Sequence, residues 1–577
     1  MTWSSEATRA KKASQLASIP LEWRIPPSKL PSADVKDVFP YLSSTGILTP
    51  SQLDIIHTPV QSLLSQLRSG QKKVLEVTEA YCKAAAVAQQ LVGCCTEMMF
   101  GRAMERAKEL DRVFEKSGGE GLGALFGLPV SLKDQFQVKG VECNMGIASW
   151  IGQISEKDSV LVTILEKQGA VIHCRTNVSQ GLMFSESDNY VYGRTDNPFN
   201  RTLTPGGSSG GEGALVALHG RFVHPVKRLL LIILTLLNHN SPLGVGTDLG
   251  GSVRIPAAYT GLFGLRPTLH RFPYAGARNT LLGLEGIQSA LGPLCADIGG
   301  VKAFARAVLE GEPWLLDPKT PEIPWREGMC ALEGMKAEGR KPVWGVMWWD
   351  GVVRPHPPMR RALEMAVEAV KKAGYEVIEF EPLDVEKAEK LTIDLYGSDG
   401  SEDLKRTFAI SGEPYHPMII TPQDAGPKLS VYDSWQLNVA KDDYRARFLE
   451  HWNATAARTS TGLPIDGLLL PPGATTAHEH GKWHRWIAYT SLYNMLDLPA
   501  MVIPLDARVD PALDPVDKDF QPANARDAEI QASYSPEVYE NAPIAVQLVG
   551  RRYREEEVIG LTELIVDALD KAKGEGK

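Results

Sequence analysis

Two glycine-rich segments constrain this chain more than any other feature of its sequence. Residues 206–213 read GGSSGGEG and residues 246–256 read GTDLGGSVRIP. Glycine at this density lets a backbone turn tightly and direct several N–H groups at one point, which creates an anion site. The anion could be a phosphate, or the oxyanion that forms when a carbonyl is attacked. The serines beside the glycines favour the oxyanion, because one of them could be the attacking nucleophile.

A serine hydroxyl is a weak nucleophile and needs a base. Lys133 could be that base, because it ends the apolar stretch 128–132, which we expect to form a short strand. Burial disfavours the charged ammonium, lowers its pKa and can leave the amine neutral. The glycine segments, the serines and this lysine together favour acyl-transfer chemistry.

These segments and their flanks resemble the amidase signature family, in particular its fungal acetamidase and general amidase branch. The resemblance extends from about residue 15 to about residue 571. Long motifs in a fixed order are far more specific than a single glycine-rich loop. The flanking motifs are KDQ at 133–135, SDN at 187–189, GRTDNP at 193–198, LRP at 265–267 and AVQLVGRR at 545–552.

The resemblance implies a catalytic triad. Ser252 would be the nucleophile, and Ser208, on a cis peptide bond after Gly207, would bridge Ser252 to the base Lys133. An acyl-enzyme would form on Ser252, and water would then hydrolyse it. We expect no metal and no cofactor.

The resemblance also implies an oxyanion hole made of backbone N–H groups, which explains why glycine surrounds the nucleophile. We expect Ser209 and Asp248 to hold the loop through hydrogen bonds and Arg254 to pair with a nearby carboxylate. The N–H donors would belong to Leu249, Gly250, Gly251 and Ser252.

From residue 122 onward, strand and helix patterns alternate, which predicts one large α/β sheet covered by helices on both faces. The resemblance implies a single amidase-signature fold with a central twisted mixed sheet. Residues 1–90 read as a helical region packed on the core, and residues 91–577 as the amidase signature domain. We expect strands at 128–132, 170–173, 343–347, 376–380, 466–470, 500–504 and 544–548, and helices at 60–67, 74–91, 159–168, 211–218, 358–373 and 555–572.

Residues 221–240 match nothing in the family pattern. Without them, LHG at 218–220 would continue directly into SPLGVG at 241–246, as the family pattern requires. A surface loop is one explanation, and a translated intron of 20 codons is the one we favour. The apolar run 229–237 within the segment would make a poor exposed loop.

Bulk properties exclude several classes of protein. The net charge of −9 argues against nucleic acid or an anionic membrane as the main partner. The run 229–237 is the longest apolar stretch and is far shorter than the ~20 residues of a membrane helix. The seven cysteines form no Cys-x-x-Cys pair, and residues 1–18 lack an apolar secretory core, so we expect a reducing, cytoplasmic setting.

Other functions remain open at this stage. No Walker-type phosphate loop is present, which makes a nucleotide-binding enzyme a weak alternative. His480 and His484 have the i, i+4 spacing of metal ligands, but the glutamate is misplaced for a His-Glu-x-x-His site. Two further alternatives are the glutamine-hydrolysing subunit of an amidotransferase and a relative that residues 221–240 have inactivated.

The substrate is the least determined feature. The resemblance favours a small aliphatic or aromatic primary amide such as acetamide, while a longer acyl amide stays open. We expect the pocket walls to come from residues 145–150, 184–189 and 348–452, with Trp348, Trp349 and Trp435 as an apolar lining. The N-terminal helices are a candidate surface for a homodimer.

Overall fold

The computed structural model describes residues 3–220, 243–419 and 426–575. The segment 221–240 lies outside the described residues. The described chain forms one mixed sheet of eleven strands in the order β1-β3-β2-β4-β6-β5-β10-β11-β9-β7-β8. The strands are β1 Cys95–Met98, β2 Pro129–Lys133, β3 Val171–Thr176, β4 Leu243–Asp248, β5 Phe263–Arg266, β6 Ala290–Cys295, β7 Val343–Val346, β8 Glu376–Glu379, β9 Gly467–Leu470, β10 Ala500–Arg508 and β11 Pro543–Val549.

The mixed α/β fold expected from the alternating pattern is confirmed. Strand β2 runs parallel to both β3 and β4, whereas β4, β6, β5, β10, β11 and β9 pair antiparallel in that order. Every residue of β2, β3 and β4 is buried, as expected for strands covered by helices on both faces. Because Leu132 pairs with Val245, Lys133 and Thr247 lie at adjacent strand ends.

The N-terminal region is helical, and its longest helix belongs to the core. The residues Val60, Leu63, Leu64 and Leu67 all lie on the buried face of one helix, as their spacing predicts. The next helix, Val74–Val92, is buried over most of its circumference and packs against β3. The helices before residue 93 are Glu6–Ala17, Phe39–Ser44, Pro50–Ile56, Val60–Arg68 and Val74–Val92.

The remaining helices cover the two faces of the sheet. A helix that begins at Gly210 follows the first glycine-rich segment and packs on β4, and the short helix Arg254–Tyr259 follows the second. The others are Phe100–Ser117, Val160–Lys167, Ile298–Glu310, Glu327–Cys330, Glu333–Ala337, Pro357–Lys372, Val385–Tyr396, Glu402–Ala409, Val431–Ala454, Ala488–Leu496, Ala525–Ala532, Pro536–Tyr539 and Glu555–Glu575.

Strand β4 was not expected, because its sequence LGVGTD reads as part of a glycine loop. Gly244 and Gly246 alternate along it and therefore lie on one face. A Cβ atom on Gly244 would lie 2.2 Å from Glu212 Oε2, and one on Gly246 would lie 2.7 Å from Ser209 Oγ. The glycines in β4 thus make room for the start of the helix that begins at Gly210.

The length and hydropathy of the helices and the state of the cysteines bear on the expected absence of a membrane span and on the expected free thiols. No helix within the described ranges is long and apolar enough to cross a membrane. All seven cysteines are buried free thiols.

Candidate active site

Lys133 lies at the end of β2 with its side chain fully buried. Its Nζ is 2.7 Å from Ser208 Oγ and 2.7 Å from Thr247 Oγ1. Burial lowers the pKa of the Lys133 amine to about 7, although the nearby carboxyls of Asp248 and Glu212 act in the opposite direction. A substantial fraction of this lysine is therefore neutral near pH 7 and can accept a proton.

Ser208 lies in the turn before the helix Gly210–Gly220. The Gly207–Ser208 peptide bond is cis, the geometry that the resemblance implies. Ser187 stabilises the turn, because its Oγ accepts a hydrogen bond from Gly210 N at 2.8 Å and donates to Gly206 O at 3.2 Å. The motif SDN at 187–189 therefore contributes to the position of the Ser208 hydroxyl.

Ser252 lies in the loop between β4 and the helix Arg254–Tyr259. Its backbone carbonyl accepts a hydrogen bond of 3.2 Å from Ser209 N, which joins the two glycine-rich segments. The Ser209 hydroxyl also donates to Thr247 O at 3.3 Å. Ser208 and Ser252 both line one cavity.

The loop that carries Ser252 is wrapped around the carboxylate of Asp248. Asp248 Oδ1 accepts from Gly251 N at 2.8 Å, and Oδ2 accepts from Val253 N at 3.2 Å. Arg254 donates to both oxygens at 3.0 Å. Burial alone would raise the pKa of Asp248, but the charge and hydrogen bonds of Arg254, with a bond from Asn494, hold that pKa well below its ordinary value. The loop is thus built on an ionised, buried pair.

The four predicted oxyanion donors differ in whether their N–H group already donates a hydrogen bond. The Gly251 N–H donates to Asp248 and is therefore already satisfied. The N–H groups of Leu249, Gly250 and Ser252 form no hydrogen bond with any other described residue. These three groups are the ones available to a negatively charged oxygen.

Thr247 and Gln135 were not assigned a role from the sequence. The Thr247 hydroxyl donates to Gln135 Oε1 at 2.8 Å, and Gln135 Nε2 donates to Tyr274 Oη at 2.6 Å. The Thr247 proton is thus committed to Gln135, so Thr247 Oγ1 must accept from an N–H of Lys133. The sequence held no signal for this neighbour, because strand β4, whose pairing with β2 places Thr247 beside Lys133, was not expected.

Glu212 lies behind the lysine on the first turn of the helix Gly210–Gly220. Its carboxyl contacts the hydroxyls of Ser131 at 2.5 Å and Thr176 at 2.8 Å. Burial raises its pKa to about 8, which favours the neutral acid. To the extent that Glu212 is protonated, its opposition to the burial that lowers the Lys133 pKa is weakened.

The cavity has a volume of about 360 Å³. Its walls do not come from the three segments expected, namely 145–150, 184–189 and 348–452, but from residues 181–183, 270–289 and 317–319 together with the triad loops. Trp435 is 64% exposed, and neither Trp348 nor Trp349 lines the cavity. The apolar part of the wall includes Leu182, Met183, Leu249, Tyr274, Leu284 and Ile287.

The histidines considered as metal ligands have separate partners. His480 contacts the carboxylates of Glu186 and Asp196, whereas His484 Nδ1 lies 3.4 Å from Glu529 Oε1. Across the described ranges, no group of three or more His, Cys, Asp or Glu side chains is placed to hold a metal ion.

Comparison with known families places most of the chain in one family. The amidase family profile matches residues 76–223 and 238–559. The unmatched interval between them, residues 224–237, lies inside the segment 221–240 that departs from the family pattern.

Individual relatives match over almost the entire chain. An acetamidase of Aspergillus oryzae is 37% identical over 557 residues, which cover 96% of this chain and 97% of the relative. An acetamidase of Emericella nidulans is 37% identical over 565 residues, 98% of each chain. The solved structure of a fatty acid amide hydrolase superposes with a TM-score of 0.87 at 30% identity, covering 98% of this chain and 94% of that one. This chain therefore belongs to the amidase signature family and is an amide-hydrolysing enzyme.

Proposed function

We propose that the chain hydrolyses a primary carboxylic acid amide to the acid and ammonia through a Ser252–Ser208–Lys133 triad. The observation that carries the proposal is the buried Lys133 amine, 2.7 Å from Ser208 Oγ, beside a cavity that Ser252 also lines. A charged lysine in this position would be costly to bury, whereas a neutral one is a base.

In the first half of the reaction, Ser252 Oγ attacks the carbonyl carbon of the amide. Its proton passes to Ser208 Oγ while the proton of Ser208 passes to the Lys133 amine. The carbonyl oxygen becomes an oxyanion, which the free backbone N–H groups at 249, 250 and 252 stabilise. Collapse of this intermediate breaks the C–N bond, and the leaving nitrogen takes the proton back from Lys133 through Ser208.

In the second half, water attacks the ester on Ser252. The proton of the water follows the same path to Lys133, and the second tetrahedral intermediate releases the acid and regenerates the Ser252 hydroxyl. Thr247 accepts one N–H of Lys133 throughout, which directs the lone pair of the amine towards Ser208.

The substrate we propose is a small aliphatic or aromatic primary amide, of which acetamide is the smallest. The relatives named acetamidases support the small end of this range. The cavity of about 360 Å³ has room for roughly a dozen water-sized atoms and so also accommodates benzamide or a medium-length acyl group.

The test is a turnover series on acetamide, butyramide, benzamide and a fatty amide. Each methylene buried in the apolar wall is worth about 0.8 kcal/mol, so kcat/KM should rise about fourfold per methylene from acetamide to butyramide. Ser252→Ala should abolish turnover of every amide. Full activity in Ser252→Ala would refute the triad, and hydrolysis of glutamine only, in a complex with other subunits, would favour the amidotransferase alternative.

Two further proposals concern the chain as a whole. We place it in the cytoplasm, which its seven buried free thiols support. We also propose that residues 221–240 are a translated intron, which the interruption of the family match at 224–237 supports. Mature transcript that contains these codons would refute the intron proposal.

A further inference from the structure

Residues 249–253, between β4 and the helix Arg254–Tyr259, form the nucleophile loop. Two side chains from distant parts of the sequence hold its backbone. The Tyr396 hydroxyl donates to Leu249 O at 2.7 Å. The Thr490 hydroxyl donates to Gly250 O, also at 2.7 Å. Tyr396 ends the helix Val385–Tyr396, Thr490 lies in the helix Ala488–Leu496, and these two helices pack against each other.

Each of these bonds fixes the direction of an N–H group. In a trans peptide, the C=O and the N–H of one peptide unit point in opposite directions. A hydroxyl that holds Leu249 O on one side therefore turns the Gly250 N–H to the other side. In the same way, the bond from Thr490 to Gly250 O turns the Gly251 N–H towards Asp248 Oδ1, which it reaches at 2.8 Å.

Asp248 holds the Gly251 N–H within the loop, but no described loop residue holds the Gly250 N–H, so the plane between Leu249 and Gly250 depends on Tyr396. Glycine restricts its dihedral angles less than any other residue. A Cβ atom on Gly250 would lie 3.1 Å from Tyr396 Oη, so the tyrosine packs directly against the glycine. Tyr396 is only 6% exposed. Burial raises the pKa of its hydroxyl well above the ordinary value, so it remains a donor at every working pH.

We propose that Tyr396 is a positioning residue of the oxyanion hole and that Thr490 is a positioning residue of the turn that presents Ser252. Tyr396 aims the Gly250 N–H at the developing oxyanion, and Thr490 commits the Gly251 N–H to the Asp248 carboxylate, which fixes the start of the turn that presents Ser252. Neither side chain needs to touch the substrate. This inference rests on the proposed triad, because it assigns the free N–H groups beside Ser252 to the transition state.

The first test is Tyr396→Phe, which removes one hydroxyl and leaves the ring in place. Loss of a whole oxyanion donor lowers kcat by about 10²–10³-fold. A donor that remains but is no longer aimed should lower kcat by roughly 10–100-fold, with KM within about twofold of wild type.

Tyr444→Phe is the matched control. Tyr444 is also buried, at 3% exposure, and its hydroxyl donates to a leucine carbonyl, Leu383 O, at 2.6 Å. Tyr444→Phe removes the same kind of bond, but the carbonyl that loses its donor lies outside the nucleophile loop. The thermal unfolding midpoint of Tyr444→Phe should fall about as much as that of Tyr396→Phe, while the kcat of Tyr444→Phe stays at the wild-type value.

The second pair of variants separates the Thr490 hydroxyl from its methyl group. Thr490→Ser keeps the donor and should retain most of the activity, whereas Thr490→Val should lose kcat. The hydroxyl also lies 3.1 Å from Ile487 O within its own helix, but the contact to Gly250 O is the shorter.

A last measurement distinguishes misorientation of the Gly250 N–H from a general distortion of the binding site. A boronic acid that forms a tetrahedral adduct on Ser252 should bind more weakly to Tyr396→Phe, in parallel with the loss in kcat/KM, while affinity for the carboxylic acid product is unchanged. Equal kcat in Tyr396→Phe and Tyr444→Phe, or equal weakening of adduct and product, would overturn the inference. Activity in Ser252→Ala would instead show that the triad itself is wrong, and the inference would fail with it.

Discussion

Gln135 lies two hydrogen bonds from the amine of Lys133, and this makes it the most informative place to add a charge. Thr247 Oγ1 is 2.7 Å from Lys133 Nζ and 2.8 Å from Gln135 Oε1, so a carboxylate at position 135 would lie within about 5.5 Å of the amine. The change Gln135→Glu keeps the shape of the side chain and its acceptor for the Thr247 hydroxyl. It adds a negative charge and replaces the Nε2 donor to Tyr274 Oη by an oxygen that can accept from the Tyr274 hydroxyl.

The magnitude follows from Coulomb's law. At about 5.5 Å and an effective dielectric constant of 20–40, the attraction is about 1.5–3 kcal/mol, or a pKa change of roughly 1–2 units. A carboxylate stabilises the ammonium, so the pKa of Lys133 rises from about 7. The base form then exists only at higher pH, and the acid limb of kcat/KM should move up by the same 1–2 units.

The assay is the pH dependence of kcat/KM, which reports ionisation of the free enzyme. At pH 7, where about half of the wild-type lysine is already neutral, Gln135→Glu should be about 5–50-fold slower than wild type, and at pH 9–10 it should approach the wild-type rate. Gln137→Glu is the control, because it adds the same charge at a partly exposed site whose side chain bonds Gly276 O instead. An unshifted acid limb, or a loss that high pH does not restore, would refute the assignment of Lys133 as the base.

Two stability predictions test the scaffold of the site. Asp248→Asn leaves Arg254 buried without its ionised partner and should lower the free energy of unfolding by about 3–5 kcal/mol in urea denaturation. Asp384→Asn, which breaks the exposed pair with Arg447, should lower the free energy of unfolding far less, and equal losses would contradict the role of burial. Gly244→Ala places a methyl group 2.2 Å from Glu212 Oε2 and should lower the free energy of unfolding by about 1–3 kcal/mol and remove most of the activity. The control Gly101→Ala, in a helix with open space around the new methyl group, should not destabilise the protein. An unchanged stability in Gly244→Ala would show that β4 does not need glycine at that position.

Local patterns determined much of the fold. The apolar spacing from Val60 to Leu67 predicts a helix because four buried side chains must share one face, and the structure has that helix. Each strand expected from an apolar run of four or five residues is present, including the one that ends at Lys133. Short-range periodicity carries this information because it reflects burial directly.

Strands β4 and β6 were missed for a physical reason. Both contain glycine, and β6 also contains Pro293, residues that ordinarily argue against a strand. In β4, glycine reflects close packing of the helix Gly210–Gly220 against the sheet, and only the tertiary structure shows that contact. Propensity rules describe the average strand, and a close approach of two backbones overrides them.

The sequence predicted the site residues that lie inside the glycine-rich segments and their flanking motifs, but not the residues that reach the site from elsewhere in the chain. Tyr396 is 147 residues from the carbonyl it holds and Thr490 is 240 residues from its partner, so nothing local indicates either contact. The prediction of tryptophan-lined walls was wrong because an aromatic residue marks apolar surface without saying where that surface lies. Trp435 is in fact exposed on the helix Val431–Ala454.

The central claim is that Ser252 carries the acyl group while Lys133 acts as its base through Ser208. The most direct test is to quench the enzyme in acid during turnover of benzamide and to measure the masses of its proteolytic peptides by mass spectrometry. The account predicts a benzoyl group on the peptide that contains Ser252, none on the peptide that contains Ser208, and no acylation in Lys133→Met. A benzoyl group on Ser208, or undiminished acylation of Ser252 in Lys133→Met, would contradict it.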